Sequence, residues 1–319
     1  MLRKIVRSIR ENPNILEKKD ITPFVSYIQE YSFKSNRIFS DIGEDSASII
    51  NGDKLILITT DRIRTEFVAN FPFGAGFSSI LVGADDIYCC GGKPLAASLI
   101  VSFKELSKGK KIIEGICEGS KKFKIPIIRG HTTPNGDYYE LSSTIIGEIN
   151  KEDYISAKGA KINDIIILAV DFDGKIGKAS KFYWDTVTFK TSKEVLKKRE
   201  SMQIIAKRHL AHSAKDISNG GIFGTIFQLI KYSNLGADIS INNIRIPPIL
   251  IQNNYDLETY IKMYLTTSYI LTAPETNSSE IIKIFNKHGL EAMIIGKIIK
   301  EPRLLKINDD VTSINVMEF

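Results

Sequence analysis

Soft-metal and redox chemistry have little to work with in this chain. Its 319 residues include only three cysteines and four histidines. Cys89, Cys90 and Cys117 form no C-x-x-C pair, which excludes the usual zinc and disulfide-exchange motifs. Chain neighbours such as Cys89 and Cys90 rarely form a structural disulfide; burial in a reducing, cytoplasmic setting is the expectation. His209, His212 and His288 lack ligand-like spacing with a carboxylate and read as structural. No apolar run reaches the roughly 18 residues of a membrane span. The basic N-terminus, MLRKIVRSIRENPN, is too broken by charge for a secretory signal. The charge excess is small as well, +6, and the basic patches Lys108-Gly109-Lys110-Lys111 and Lys197-Lys198-Arg199 lack interleaved aromatics. Neither a nucleic-acid nor a membrane partner is expected.

What is present describes a soluble globular protein, with 43% hydrophobic and 25% charged residues. The length suggests two domains, each able to bury its own core. The most informative stretch is SDIGEDSASIINGDKLILITTD, residues 40–61. An acidic loop, Gly43-Glu44-Asp45-Ser46, enters an apolar run. Asn51-Gly52 then signals a hairpin, and a second apolar run ends in Thr59-Thr60-Asp61. A two-residue Asn51-Gly52 turn sets Asp45 across from Ile58, and a three-residue turn sets it across from Thr59. Either way Asp45 and Asp61 come within about 10 Å, at roughly 3.3 Å of rise per residue. Carboxylates beside glycine and hydroxyls suit a hard cation such as Mg²⁺, shared with phosphates. Ordinary solvated loop acids are the alternative.

Apolar spacing predicts a helix over residues 2–10, ended by Asn12-Pro13, and another over 22–31 with Thr22 as its cap. Phe71-Pro72-Phe73-Gly74-Ala75-Gly76 reads as a loop opening a helix over 77–90, stopped by Gly91-Gly92 and Pro94. Asp85 and Asp86 sit near that helix's end, where the dipole disfavours negative charge and a cation would relieve it. A strand over 96–103, a helix over 109–123, a short strand over 125–128 feeding Arg129-Gly130-His131-Thr132-Thr133, and a strand over 141–149 complete a first unit. Lys151-Glu152-Asp153 marks the boundary. The second unit has strands over 165–170, 264–272 and 292–299, and helices over 192–209, 222–232 and 278–288. Trp184 reads as a packed core aromatic rather than a pocket wall. Asp216-Ile217-Ser218-Asn219-Gly220-Gly221 stands directly before a helix. Glycines there admit a phosphate to backbone N–H groups, and Asp216 could hold a metal on it; a plain capping cluster is the alternative.

The ordered words GEDSA, TTD, ADDIYCCGGKP, GHTT and DISNGG resemble one superfamily. It comprises aminoimidazole ribonucleotide synthetase, selenophosphate synthetase, thiamine monophosphate kinase and the hydrogenase-maturation dehydratase. The likeness runs from about residue 40 to 299. Phe71 to Phe77, Arg129-Gly130-His131-Thr132 and Ala214 to Asn219 are most similar to an archaeal AIR-synthase-related group, the methanogenesis markers. The resemblance implies a two-domain α/β (α+β) fold. Residues 1–152 would be the ATP/Mg-binding and dimerisation domain, and 153–319 the C-terminal α/β domain. It implies a homodimer whose N-terminal strands close a shared barrel, with ATP and Mg²⁺ between the domains. The metal ligands it implies are Asp45, Thr60, Asp61, Asp86 and Asp216. The nucleotide contacts it implies are Gly43, Glu44, Asp45, Ser46, Gly130, His131, Thr132 and Gly220, and Asp216 and Ser218 would be catalytic.

Several positions depart from the family pattern. Glu44 replaces the first Asp of GDD, Gly83 replaces Asn, and His131 replaces the kinase Asp. Asn219 replaces the second Asp of DISDG, Ala157 replaces an ATP-contacting Arg with Lys158 beside it, and Asn163-Asp164 replaces Gly-Asp. The expected function is an ATP- and Mg²⁺-dependent phosphotransferase or synthetase that activates an oxygen of a small-molecule substrate. Thiamine monophosphate kinase, and a non-catalytic nucleotide-binding assembly or maturation protein, are the alternatives. The acceptor pocket carries no readable motif.

Overall fold

Leu2, Ile5, Val6 and Ile9 recur at helical spacing, and all four are buried on one face of α1 (Leu2–Arg10). The computed structural model describes residues 2–317, so the expected domain ends at Met1 and Phe319 lie outside the described residues. Pro13 does not merely end α1; it opens a further helix, α2 (Pro13–Asp20), because proline fits the first helical turn. Helix α3 (Thr22–Tyr31) has the expected bounds, but its cap position is Ile21. The Thr22 hydroxyl instead accepts a hydrogen bond from Lys231 Nζ at 2.9 Å. No residue of α3 is buried, and Phe24, Tyr27, Ile28 and Tyr31 are exposed.

The first sheet is built from β1 (Ile38–Ser40), β2 (Ala47–Asn51) and β3 (Lys54–Arg62). After α4 (Thr65–Asn70) and α5 (Pro72–Cys89) come β4 (Lys93–Phe103), α6 (Leu106–Phe123), β5 (Ile127–Pro134) and β6 (Glu140–Asn150). The strand order is β1-β2-β3-β6-β4-β5. Only β4 and β5 are parallel, and α6 supplies the crossover that such a pair requires. The hairpin turn is neither the two-residue Asn51-Gly52 turn nor the three-residue turn that the sequence allowed. Asn51 pairs with Lys54, so Gly52-Asp53 is the turn, with Gly52 at φ 66°. A positive φ at the first turn position is what glycine supplies in a two-residue hairpin.

The expected loop at 71–76 is the start of α5. Its glycines serve helix packing rather than a turn. A Cβ on Gly76 would lie 2.1 Å from the Ile112 carbonyl oxygen, and one on Gly115 would lie 2.0 Å from that of Phe73. Helices α5 and α6 therefore cross in backbone contact. Gly83 has a similar cause: a Cβ there would meet Ile145 at 2.9 Å.

The second sheet uses β7 (Ile165–Val170), β10 (Ser213–Asp216), β11 (Gly236–Ser240), β13 (Ser268–Ala273), β14 (Glu291–Ile299), β15 (Leu305–Asn308) and β16 (Ser313–Met317). Their order is β10-β13-β7-β14-β11-β15-β16. A small sheet joins β8 (Lys175–Ile176), β9 (Tyr183–Asp185) and β12 (Tyr264–Leu265). The helices are α7 (Ser192–Lys207), α8 (Gly221–Ser233), α9 (Pro248–Gln252), α10 (Leu257–Tyr260) and α11 (Ser278–Lys287). Side chains alternate along β7 into two cores. Ile166, Leu168 and Val170 join α1 and α8 on one face; Ile165, Ile167 and Ala169 join α7 and α11 on the other. Helix α1, counted with the first unit on sequence, thus packs into the second unit. The strand expected over 264–272 breaks at Thr267, whose φ is 52°. There the Thr266 and Thr267 hydroxyls each meet Thr186 Oγ1 at 2.9 Å. Trp184 is fully buried and donates to the Asp171 carbonyl, as a core aromatic.

Gly115→Ala should lower unfolding stability by about 1–3 kcal/mol in urea titration, because backbone cannot yield to the added methyl as a side chain can. Parent-like stability would show that α5 and α6 are not in backbone contact.

Candidate functional site

Strand alternation sorts the end of β3 onto two faces. Thr59 is buried and its hydroxyl donates to Asp86 Oδ2 at 2.5 Å. Asp61 lies on the same face, close to both Thr59 and Asp86. Thr60 points the other way, where its hydroxyl pairs with that of Thr144 at 3.0 Å. The structure thus separates the Thr60 side chain from the acids and brings in Thr59, which the sequence reading passed over. Period-2 alternation, together with the face that α5 covers, was the signal that could have found it.

Helix α5 presents two consecutive acids in different directions. Asp85 is buried against Arg199 of α7, with 2.7 Å between Oδ1 and Nε. Asp86 turns toward Asp45, which precedes β2, and Asp216, which ends β10. One carboxylate oxygen from each of Asp45, Asp86 and Asp216 lies within 4.8 Å of the others. Asp45 Oδ2 accepts the Asp216 backbone N–H at 3.2 Å, and Asp45 Oδ1 is paired with the Lys215 ammonium. Burial, and then the charges of Asp61, Asp216 and Asp45, hold the Asp86 carboxyl well above its ordinary value. Asp216 is raised well above by burial and then by Asp45 and Asp85, and Asp61 is raised chiefly by burial. Burial works against the Lys215 ammonium, but Asp45 outweighs it and holds that group above the usual lysine value. Raised carboxyls bind more protons folded than unfolded. Stability therefore falls as pH rises from the ordinary carboxylate range through the raised values.

The remaining candidates are dispersed. Gly43, at φ 103°, lies against the Tyr232 ring of α8, where a Cβ would meet ring carbon at 2.6 Å. Glu44 accepts from Ser156 Oγ and from the Ala157 backbone N–H, both at 2.6 Å. Glu44 therefore ties the first unit to the 156–157 backbone and hydroxyl of the second. Ser46 is buried. Gly220, at φ 105°, is the cap position of α8, so Asp216 is not a helix cap. Ser218 is half-buried and Asn219 exposed at the same turn. Gly130, His131 and Thr132 lie on β5, an exposed edge strand three strand spacings from β3, roughly 14 Å. The structure does not bring them to the acids; Thr132 instead lines a groove of about 640 Å³ beside α6.

Lys18 of α2 was also missed, since that helix was not foreseen. Its ammonium donates to Gln228 Oε1 of α8 at 2.6 Å, and its Cε lies 3.9 Å from where a Gly220 Cβ would be. Burial, reinforced by the Lys215 charge, pushes the Lys18 ammonium down to about 8. His212 has a carboxylate partner that spacing did not reveal, Asp164 at 2.9 Å.

Residues 43–149 match the AIR synthase related protein N-terminal domain, and residues 173–305 match its C-terminal domain. This chain belongs to the AIR synthase related family. Within the family it is 36% identical to an uncharacterised protein of Methanocaldococcus jannaschii, over 95% of this chain and 93% of that one. It is 24% identical to a phosphoribosylformylglycinamidine cyclo-ligase of Pyrococcus horikoshii, over 88% and 90% of the two chains. The fold is that of AaThiL complexed with AMPPCP and TMP, with a TM-score of 0.69 at 17% identity over 91% of this chain and 94% of that one. It also matches T. maritima PurL complexed with ATP, of which it spans about half, 45% of that chain, with a TM-score of 0.69 at 16% identity over 86% of this chain. Among the described residues no helix is long and apolar enough to cross a membrane.

Asp86→Asn removes one of the mutually repelling, partly buried acids. In EDTA at neutral pH the variant should melt several degrees above the parent, and it should gain less from added Mg²⁺. A lower melting point in EDTA would mean that Asp86 acts as an ordinary structural acid.

Proposed function

We propose that this protein is an ATP- and Mg²⁺-dependent phosphotransferase or synthetase that phosphorylates an oxygen of a small-molecule substrate. The observation that carries this reading is the meeting of Asp45, Asp61 and Asp86 from the first unit with Asp216 from the second. The donor set fits the ion: hard carboxylate oxygens without sulfur or imidazole suit Mg²⁺. The α8 N-terminus is less open: the Gly221 N–H donates to the Ser218 carbonyl and the Ile222 N–H to that of Ile261. Ile15 and Lys18 of α2 lie over Gly220, so a phosphate would be met there chiefly by the Lys18 ammonium. A bound Mg²⁺ would supply charge neutralisation on the phosphates.

In this reading Asp61, Asp86 and Asp216 hold the ion, and Asp45 fixes the Asp216 backbone from the opposite unit. Lys18, whose ammonium is shared with Gln228 beside the 218–221 turn, would supply positive charge to a phosphate there, and Ser218 would offer it a hydroxyl. Positioning and electrostatics carry the rate, with no protein nucleophile required. The shared fold with AaThiL complexed with AMPPCP supports a nucleotide as the donor. A second reading, a nucleotide-binding assembly protein without turnover, draws on two features. Asn219 offers no carboxylate, and position 157 offers a backbone N–H to Glu44 where the kinase pattern has arginine.

ATP with Mg²⁺ should give binding heat in titration calorimetry, and ATP should be turned over with a suitable acceptor. Asp216→Asn, which is isosteric and does not disturb a cap, should reduce turnover at least about tenfold while melting no lower than the parent in EDTA. Unchanged turnover would remove Asp216 from the site, and absence of any binding at millimolar nucleotide would end the nucleotide reading. Turnover lost from the parent while binding persists would favour the assembly protein.

The open face of the first sheet supports a homodimer. Ile100 of β4 is 48% exposed, Ile128 of β5 is 66% exposed, and the whole β5 edge is uncovered. Soluble proteins avoid such an edge. Light scattering at micromolar concentration should give twice the chain mass, and Ile100→Lys should shift it toward the monomer; a monomeric parent would refute the assignment.

A further inference from the structure

Lys215 is a charged side chain in an interior place, with 5% of its side-chain surface exposed. Its ammonium sits on Asp45 Oδ1, and the neighbouring N–H of Asp216 takes Asp45 Oδ2. Both oxygens of Asp45 are therefore engaged by consecutive residues of β10. The oxygens of Asp86 and Asp216 that could face an ion lie within 4.8 Å of Asp45. An ammonium offers three donors and no acceptor, so toward a carboxylate it behaves as a tethered monovalent cation.

Resting on the metal-dependent reading above, we propose that Lys215 occupies the cation position beside Asp45, leaving the site to take divalent metal only through Asp61, Asp86 and Asp216. Two consequences follow from charge. The ammonium neutralises Asp45 permanently, which lets the two units close without metal. It also repels any divalent ion brought to the Asp45 side, since like charges a few ångströms apart in a buried site interact far more strongly than in water. The cluster therefore takes fewer ions than four free carboxylates would.

Counting bound Mn²⁺ by electron paramagnetic resonance, without nucleotide, tests this directly. The parent and Lys215→Arg should bind alike. Lys215→Gln should bind one further ion per chain, or bind Mn²⁺ at least roughly tenfold more tightly. If Lys215→Gln does not fold in EDTA, millimolar Mn²⁺ should restore its cooperative melting, because the ion replaces the lost charge; failure of Mn²⁺ to restore it counts against the proposal. Equal stoichiometry and affinity in the parent and a folded Lys215→Gln would overturn the role of Lys215 while leaving the metal site standing. No Mn²⁺ binding by the parent or either variant would overturn both.

Discussion

Arg199 and Asp85 meet at 2.7 Å in the protein interior, and Lys215 and Asp45 form a second buried pair across the same boundary. In each pair one partner belongs to the first unit and the other to the second. Removing one member of such a pair leaves a buried charge uncompensated, typically about 3–5 kcal/mol of destabilisation. The two units are thus held in register by charges that have no other place to go. Each pair also lies one residue from a cluster acid: Asp85 precedes Asp86, and Lys215 precedes Asp216. The contacts that close the boundary therefore place the carboxylates that define the site.

The two sheets are treated differently. The second is covered on both faces, which the alternating burial of β7 requires. The first is covered by α5 and α6 on one face, and its β5 edge is open. Edge and face carry apolar residues that a single chain does not cover. The family pattern at Gly130-His131-Thr132 falls on this open strand, not beside the acids. Glu44 takes the Ser156 hydroxyl and the 157 backbone N–H across the boundary between the units, a contact that does not depend on the side chain at 157.

Where local pattern sufficed, the sequence was legible. The bounds of α3 and β7, the buried face of α1 and the burial of Cys89, Cys90 and Trp184 all follow from period and residue type. The family words placed the cluster acids in order. Legibility failed where one residue type serves two purposes. Pro13 and Pro72 stop helices in one context and start them in another, so α2 and the first turns of α5 were hidden. Gly76 reads as a loop signal, yet together with Gly115 it serves a helix crossing. Asn51-Gly52 announced the hairpin correctly but not its register: Ala47, not Asp45, pairs with Ile58, because cross-strand pairing, not the turn alone, sets the register.

The sequence by itself determined the inventory: four aspartates in family order, a glycine-rich helix entry, and two α/β units around their own cores. The tertiary structure alone decided which acids stand free and which are paired. Asp45 and Lys215 are 170 residues apart, and Asp85 and Arg199 are 114 apart. No local periodicity encodes a contact at that separation. Which carboxylate meets an ammonium, and which is left facing its own kind, follows only when both sheets have formed and their helices have brought the two units together.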